Sequence, residues 1–394
     1  MRHISNYINT IFLAFKAEFH TISHNRGALL ILIGAAVIYP VLYSIAYSPE
    51  LLRDLPIAVI DQDNTSTSRQ LIRMLDATQE LALHNRVNTM NEAEQLFATN
   101  QVRGVILIEK DFEANIIKGK QGVISTYGDA SYMLIYKQTL SGVSKAALTY
   151  GAGIEIRRLM AQGNSMPQAL NQAQNVKIQF RELYNPSGAY ATYVMPALIV
   201  IILQQTLLIG IGLIGGYQRE HGRHIHTIRG HSHFSSAIIL GKALSYALVT
   251  FLNILFALVI VHHWFNFPLK NDYFIILLLF LPFAFSTIFL GISLSAMFKK
   301  AEHSIMVLVF LSLIIVFLSG FSWPSYALPK ALQYLRLIFP SSIFLEPYLR
   351  IREMGVDLMA VKKELLMQMI QMGLYFVLAL SIFWGKKRRA LKTR

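Results

Sequence analysis

The stretch Leu213-Ile-Gly-Gly-Tyr-Gln-Arg-Glu-His-Gly-Arg-His-Ile-His226 is a short polar link between two long apolar runs. The run before it, Ala191–Ile214, has no charged residue, and the run after it, Ser236–Val261, has only Lys242. Each run exceeds the roughly 20 residues that a helix needs to cross a bilayer. The basic residues of the link are Arg219, Arg223 and Arg229. A basic link between two spans is predicted to face the cytoplasm.

The composition of the chain indicates a membrane protein. Of 394 residues, 54% are hydrophobic and only 15% are charged, and the mean hydropathy is +0.44. Such values predict several membrane spans. The net charge of +14 is also typical of nucleic-acid binding. However, the basic residues cluster at span ends and no nucleic-acid motif is present, so we predict no nucleic-acid partner. The absence of cysteine excludes disulfides and cysteine-based metal sites.

Six apolar runs predict an α-helical membrane protein with six transmembrane helices. The predicted spans are 28–47, 190–216, 236–261, 273–297, 304–321 and 367–385. A charge at the bilayer centre costs roughly 2.5–3.5 kcal/mol even on the lenient insertion scale, so the lack of charges in these runs is informative. The one exception, Lys242, lies near a span end, and we expect its ammonium group to reach the membrane surface.

Residues 48–189 have a different character, because charges return and the apolar runs become short. Predicted strands at Pro56–Asp61, Val102–Ile108 and Gly122–Tyr127 alternate with helical segments. A mainly helical stretch over 131–162 and a return strand at 177–183 are expected to follow. One helix is predicted to start at the capping-box-like Asn91-x-x-Glu94. This alternation predicts an inserted mixed α/β domain.

The distribution of basic residues predicts the orientation. Six spans place both termini on one side, and Lys386-Lys-Arg-Arg389 in the tail 386–394 marks that side as cytoplasmic. The loop 217–235 is then cytoplasmic and the α/β domain is extracytoplasmic. Residues 322–366 are external as well, and their aromatic and proline residues suggest half-inserted, re-entrant helices before the last span.

Residues 1–27 are predicted to form an amphipathic helix. Apolar side chains recur at spacings of three and four, and Lys16 and Glu18 lie off that face. The apolar residues are Ile8, Ile11, Phe12, Phe15 and Phe19. Such a helix is typical of the inner membrane interface. The alternative is a plain cytoplasmic helix.

Candidate chemistry is sparse. The sequence has no G-x-x-x-x-G-K-[ST] motif, so any ATPase that drives this protein must be another chain. Asp61 and Asp63 follow a strand in a pattern that is normal turn chemistry. Five histidines in the central loop allow either a metal or pH-sensing site, or a solvated loop that contacts a partner. They are His221, His224, His226, His231 and His233. We favour the partner-contacting loop, because arginines interleave and Glu220 is the only nearby carboxylate; we therefore predict no metal site and no catalytic residue.

Several short motifs, in their order along the chain, resemble one family. They are Ile57-Ala-Val-Ile-Asp-Gln-Asp-Asn64, Val102-Arg-Gly-Val-Ile-Leu-Ile108, Leu183-Tyr-Asn-Pro186, Arg219-Glu-His-Gly222, Ser319-Gly-Phe-Ser-Trp-Pro324 and Leu337-Ile-Phe-Pro340. With the amphipathic N-terminus they resemble the permease subunit of type-2 ABC exporters, in the bacterial group with a large external domain between spans one and two. The resemblance covers nearly the whole chain.

The resemblance implies a dimer of permeases, either two copies or a copy and a homologue, with two cytoplasmic ATPase subunits that bind ATP and Mg²⁺. This chain then binds no cofactor itself. The coupling residues on the ATPase are expected to be Arg219, Glu220, His221, Gly222 and Arg223. Residues that border a substrate path or external gate are expected to be Phe321, Trp323, Pro324, Phe339 and Pro340. Members of this group often work with a periplasmic adaptor and an outer-membrane channel. The implied location of this chain is the inner membrane of a bacterium.

The predicted function is therefore export of a hydrophobic or amphipathic substrate, such as a drug, a lipid or an envelope component, powered by a separate ATPase. One alternative is a membrane-anchored envelope receptor or scaffold without transport, although six spans exceed what an anchor needs. A second alternative is an integral membrane enzyme. That function requires polar residues that converge within the spans, and the sequence offers too few.

Overall fold

The computed structural model describes residues 2–48, 52–173, 183–185, 188–222 and 235–392. The chain divides into two compact units. The inserted unit is Leu51–Arg181, and the helical unit consists of Met1–Glu50 together with Glu182–Arg394. The inserted unit lies within the predicted domain 48–189.

Two helices open the helical unit. Helix α1 is Arg2–His24, and α2 is Arg26–Ala46. Asn25 lies between them, and its side-chain oxygen accepts a hydrogen bond from the Ala28 backbone N–H at 2.9 Å. This contact satisfies one of the backbone donors that the first turn of α2 leaves without a helical partner.

The inserted unit is built on a four-stranded sheet with the order β2-β1-β3-β4. Strand β1 is parallel to β2 and β3, whereas β4 is antiparallel to β3. The strands are β1 Leu55–Asp61, β2 Leu81–Val87, β3 Gly104–Ile108 and β4 Ile124–Gly128. The helices are α3 Ser66–Asp76, α4 Met90–Ala98, α5 Phe112–Ile117, α6 Met133–Ala161 and α7 Met166–Gln172. This is the mixed α/β arrangement that the alternating pattern predicts.

Strand β1 is buried on both faces, which explains its continuous apolar sequence. Ile57 packs in one hydrophobic cluster with side chains of α3 and α6, and Ile60 packs in a second cluster with side chains of α4. A parallel strand covered by helices on both sides has this composition.

Strand β2 was not predicted, and the start of α4 differs from the prediction. Strand β2 is at the edge of the sheet, and its polar residues His84, Asn85 and Arg86 conceal the strand pattern. Helix α4 is capped by Thr89, whose hydroxyl accepts from the Glu92 N–H at 3.3 Å, so the prediction of Asn91 as the cap was wrong. Of the return strand predicted at 177–183, residues 177–182 are outside the described residues.

The second part of the helical unit begins with four long helices, which are α8 Tyr190–Glu220, α9 Ser235–Trp264, α10 Tyr273–Ser295 and α11 Ala301–Leu318. Three shorter pieces and a last long helix follow. They are α12 Lys330–Leu335, α13 Pro340–Leu349, a π-helical turn at Arg350–Met354 and α14 Lys362–Lys392.

Six helices of the described residues are long and apolar enough to cross a membrane. They are α2, α8, α9, α10, α11 and the segment Leu358–Gly385 that contains most of α14. Each corresponds to one predicted span. The bounds differ by a few residues, except that the last segment starts at Leu358 rather than at 367.

Helix α8 is the central helix of its unit. Of the 18 most apolar consecutive residues of α8, 83% are buried, compared with 22% for α11 and 17% for the last segment. Small residues allow this packing, since a Cβ atom at Gly212 would lie 2.6 Å from Leu308 Cδ1 and one at Gly216 would lie 2.6 Å from the Lys300 carbonyl carbon. The Gly-x-x-x-Gly pair is therefore a packing feature.

Helix α1 lies closely against α9 at Gly241. A Cβ atom there would lie 2.6 Å from Ala14 Cβ and 3.0 Å from the Phe15 backbone nitrogen. We expect Gly241→Ala to destabilise the helical unit by about 1–3 kcal/mol, because the α1 backbone must move away. Thermal unfolding in lipid nanodiscs measures this change. Gly373→Ala is the control, because no atom lies within 4 Å of its added Cβ; equal melting temperatures for the two variants would contradict the close contact.

Candidate functional site

The predicted coupling residues lie at the end of α8. The helix ends at Glu220, and Gly222 adopts a left-handed backbone with φ of +65°. Glu220, His221 and Gly222 are all exposed. Arg223 and the four histidines from His224 to His233 lie outside the described residues. The described part of the loop therefore presents a polar, accessible surface.

Arg219 differs from these exposed residues, because its guanidinium group hydrogen-bonds to the end of α10 and to the link after it. Its Nη2 donates to the Ser295 carbonyl and its Nη1 donates to the Phe298 carbonyl. These carbonyls belong to the last turn of α10 and the link that follows, where a cation is favourable. Arg219 thus connects the end of α8 to the link between α10 and α11.

A buried charge cluster lies beside this end of α8. It consists of Glu18 on α1, Gln218 on α8, and Lys242 and Tyr246 on α9, and we call it the loop-end cluster. Glu18 Oε2 accepts from Lys242 Nζ at 2.7 Å and from Gln218 Nε2 at 2.8 Å. Its Oε1 accepts from the Tyr246 hydroxyl at 2.7 Å. Lys242 Nζ also donates to Gln218 Oε1 at 3.0 Å. Four polar side chains from three helices therefore satisfy one another.

The structure gives Lys242 a partner that the sequence did not indicate. Its side chain is 13% exposed and its ammonium group is paired with Glu18, so the charge is balanced within the protein. A buried partner of this kind removes the need to extend to water.

Glu18 was predicted to lie off the apolar face of α1, but its burial was not predicted. The protein-facing stripe of α1 is Thr10, Ala14, Glu18 and Ile22, whereas Ile8 and Phe12 point outward and are exposed. One signal could have identified the pair, since Glu18 is the only carboxylate of α1 and Lys242 is the only charge in the apolar part of α9.

The loop-end cluster predicts a dependence of stability on pH. Burial alone would raise the pKa of Glu18, but Lys242 and the hydrogen bonds of its neighbours hold it below the ordinary value of 4.5. A carboxyl group with a lowered pKa stabilises the fold above that ordinary value, and this stabilisation is lost as the pH falls through the folded-state pKa. We therefore expect Glu18→Gln to melt at a lower temperature than the wild type near neutral pH. The difference between the two melting temperatures should shrink in acid. A difference that stays constant down to about pH 3 would contradict the ion pair.

The second candidate site lies in the segment that was predicted to be re-entrant, at residues 337–342, which we call the re-entrant tip. Gln204, near the middle of α8, accepts from the Ser341 N–H at 2.7 Å. Gln371, near the middle of the last apolar segment, donates to the Leu337 carbonyl at 2.8 Å, and the Tyr375 hydroxyl donates to the Ile338 carbonyl. The re-entrant tip therefore lies halfway along two of the apolar helices.

The five predicted gate residues fall into two groups. Phe339 and Pro340 are in the re-entrant tip and are buried, with Phe339 packed among side chains of α8, α10 and α11. Phe321 lies near the first turn of α8, where its carbonyl accepts from the Tyr193 hydroxyl at 3.3 Å. Trp323 and Pro324 are exposed. The structure thus brings only Phe339 and Pro340 to the middle of the helices.

The expectation that too few polar residues converge within the spans was wrong. Gln368 Nε2 donates to Ser286 Oγ at 2.8 Å and to Gln371 Oε1 at 3.0 Å. Gln371 and Gln204 in turn hydrogen-bond to the re-entrant tip, at Leu337 and Ser341. Amides and hydroxyls are hard to recognise as a group in sequence, because each is uncharged and they come from four separate segments.

A buried arginine, also not found from the sequence, fixes the far end of α9. Arg352 has no exposed surface, and its Nε donates to His262 Nε2 at 3.1 Å. His262 Nδ1 lies 2.7 Å from the Ala257 carbonyl. His262 is therefore assigned as neutral, because Nε2 must accept while Nδ1 donates.

No group of three or more His, Cys, Asp or Glu side chains among the described residues could hold a metal ion. Asp61 accepts from Ser68 Oγ at 2.7 Å and from the Asn64 N–H at 2.9 Å. These are turn and helix-start contacts, as the sequence pattern indicated.

Comparison with known proteins identifies a family. The model of a family described as "ABC-2 family transporter protein" matches residues 26–382. This range includes five of the six apolar helices, most of the sixth, the inserted unit and the re-entrant tip. No curated protein matches the chain.

Proposed function

The chain belongs to the ABC-2 family of transporter proteins, and from this premise we propose that it is the permease subunit of an exporter driven by a separate ATPase. Family membership implies the permease role in a membrane. The sequence contains no phosphate-binding loop of its own, which supports a partner that hydrolyses ATP with Mg²⁺. We place the ATPase against the exposed residues Glu220–Gly222 and the rest of the loop 217–235.

One observation carries this proposal. The end of α8 combines an exposed polar surface with buried contacts to other helices. Arg219 contacts the end of α10, and Gln218 contacts Glu18 of α1 and Lys242 of α9. A force applied at Glu220 would therefore act on α1, α9 and α10 as well as on α8.

Helix α8 also offers a route from the loop to the re-entrant tip. Sixteen residues separate Gln204 from Glu220, which is about 24 Å of helix at 1.5 Å per residue. Gln204 contacts the tip directly at Ser341. A shift of α8 on ATP binding would change this contact, which supports alternating opening of a substrate path bordered by Phe339 and Pro340.

The proposed setting is the inner membrane of a bacterium. Both termini and the loop 217–235 are cytoplasmic, and the inserted unit is outside, as the basic residues predict. A second permease copy or homologue completes the transporter, with a periplasmic adaptor and an outer-membrane channel as further partners. The substrate is hydrophobic or amphipathic, because it must leave an apolar bundle.

Co-purification tests the proposal. Affinity-tagged permease, extracted in mild detergent, is expected to retain an ATP-hydrolysing subunit. Gly222→Val should weaken this association, because a β-branched residue is strained at a positive φ. Tyr326→Ala is the matched control, since Tyr326 is exposed in the re-entrant segment. Absence of any ATPase from the purified wild type would count against the function itself.

A further inference from the structure

Several polar groups at the re-entrant tip and on the helices that pack against it lack hydrogen-bond partners in the described part of the chain. Three of them are Gln204 Nε2, Ser341 Oγ and Gln368 Oε1, and Gln368 is linked to the tip through Gln371. The side chains of Gln204 and Ser341 are fully buried. They are also neighbours, because Gln204 Oε1 accepts from the Ser341 N–H at 2.7 Å.

Polar groups without hydrogen-bond partners are unusual in the interior of a protein. Most buried polar atoms in folded proteins have a partner, and leaving one without a partner lowers stability. Inside a bilayer, no water is available to replace the missing hydrogen-bond partner. A partner that is absent from the chain itself would resolve the deficit, and a transported molecule is the partner that a permease meets at this position.

The chemistry of the three groups indicates what that molecule carries. The Gln204 amide donates, the Gln368 oxygen accepts, and the Ser341 hydroxyl does either. The neighbours fix both amides, because Gln204 Oε1 faces the Ser341 N–H and Gln368 Nε2 donates to Ser286 Oγ, whose own hydrogen is donated to the Phe283 carbonyl. The three groups include no carboxylate to balance a cationic head group and no cation to balance an anionic one, and an unbalanced charge is costly to bury. A mixed set suits an uncharged head group with hydroxyl or amide functions.

The nearest charged side chain does not change this reading. Arg336 lies beside the re-entrant tip, and its Nη2 donates to the Ser342 carbonyl at 2.5 Å. Its Nε has no partner within the described residues. An accessible guanidinium would favour anions, but Arg336 is already engaged with the backbone carbonyl of Ser342.

We propose that Gln204 and Ser341, with Gln368, bind the uncharged, hydrogen-bonding head group of an amphipathic substrate when the re-entrant tip moves away from α8. This inference rests on the proposed transport function and defines its substrate class. In the closed arrangement Gln204 and Ser341 bind each other in part. When α8 shifts, both are released, and the head group takes the place of the Gln204–Ser341 contact.

Three ten-carbon amphiphiles test the substrate class. Decyl glucoside is uncharged, decyltrimethylammonium is cationic and decyl sulfate is anionic. Binding of each to the purified permease in nanodiscs, with any subunit that co-purifies, is measured by tryptophan fluorescence. We expect decyl glucoside to bind at least tenfold more tightly than the other two. Equal or tighter binding of either charged amphiphile would overturn the proposal.

Substitutions locate the site. Gln204→Leu and Ser341→Ala should each weaken decyl glucoside binding by tenfold or more. The matched control is Ser44→Ala, because Ser44 Oγ is also buried without a partner in the described residues but lies on α2. Unchanged binding in Gln204→Leu, or equal weakening in Ser44→Ala, would contradict the assignment.

A gain of function guards against variants that fail to fold. Gln204→Glu has the same shape but adds a negative charge, so we expect it to prefer decyltrimethylammonium over decyl glucoside. A variant that merely misfolds cannot acquire a new preference, and a folded variant with the wild-type preference would refute the site. Loss of the ATPase from the purified wild type would overturn the transport function instead, which separates the two failures.

Discussion

Glu18→Gln is expected to destabilise the helical unit by about 3–5 kcal/mol, the range for removing one partner of a buried ion pair. Glu18 is 4% exposed, and its carboxylate accepts from three side chains of α8 and α9. Glutamine has the same shape but no charge. The substitution therefore leaves the Lys242 ammonium without its counter-charge at a site where water cannot replace it.

The matched control is Glu364→Gln, the same substitution in the same unit. Glu364 pairs with Arg350 at 3.4 Å, and both side chains are about 30% exposed. A pair that water reaches is worth little, roughly 0–1 kcal/mol. Denaturant-induced unfolding in detergent, followed by tryptophan fluorescence, compares the two variants. If Glu18→Gln is no less stable than Glu364→Gln, the loop-end cluster does not hold α1 in place.

Arg219→Gln is expected to reduce ATP-coupled transport by at least about tenfold, which corresponds to about 1.4 kcal/mol of lost coupling. The guanidinium connects α8 to the carbonyls of Ser295 and Phe298, and glutamine cannot reach both. ATP hydrolysis should continue, because the exposed residues Glu220–Gly222 still meet the ATPase. The expected result is therefore hydrolysis without transport, measured with the reconstituted complex in vesicles.

Two further substitutions define what Arg219 does. Arg219→Lys keeps the charge but loses the fork of donors, so it should restore only part of the coupling. Glu220→Gln alters an exposed side chain, so this substitution should weaken ATPase binding rather than uncouple ATP hydrolysis from transport. If Arg219→Gln lowers hydrolysis and transport equally, Arg219 contributes to ATPase binding and not to transmission.

Much of the helical architecture could be predicted from sequence, because crossing a membrane imposes a simple pattern. Runs such as Ala191–Ile214 have no charge over a length that fits the bilayer, and few soluble structures produce that pattern. The parallel strands Leu55–Asp61 and Gly104–Ile108 were also found, since a strand buried on both faces is apolar throughout.

The contacts that define the candidate sites could not be predicted from single segments. Glu18 and Lys242 are 224 residues apart in sequence, and each alone resembles an ordinary charge near a helix end. Gln204 and Ser341 are uncharged and 137 residues apart. The tip was predicted to be half-inserted, but its position between the helices depends on side chains of α8 and α14. These side chains accept hydrogen bonds from its backbone and donate hydrogen bonds to it. Edge strand β2 was missed because one side faces away from the core.

The location of the coupling loop is the central claim, and single-cysteine labelling tests it most directly. The chain has no cysteine, so Glu220→Cys and Tyr326→Cys each introduce one thiol without further changes. Both positions are exposed. In intact cells, a membrane-impermeant maleimide should label Tyr326→Cys but reach Glu220→Cys only after the inner membrane is opened, and a crosslinker at position 220 should then capture the ATPase. Labelling of Glu220→Cys from outside would contradict the account.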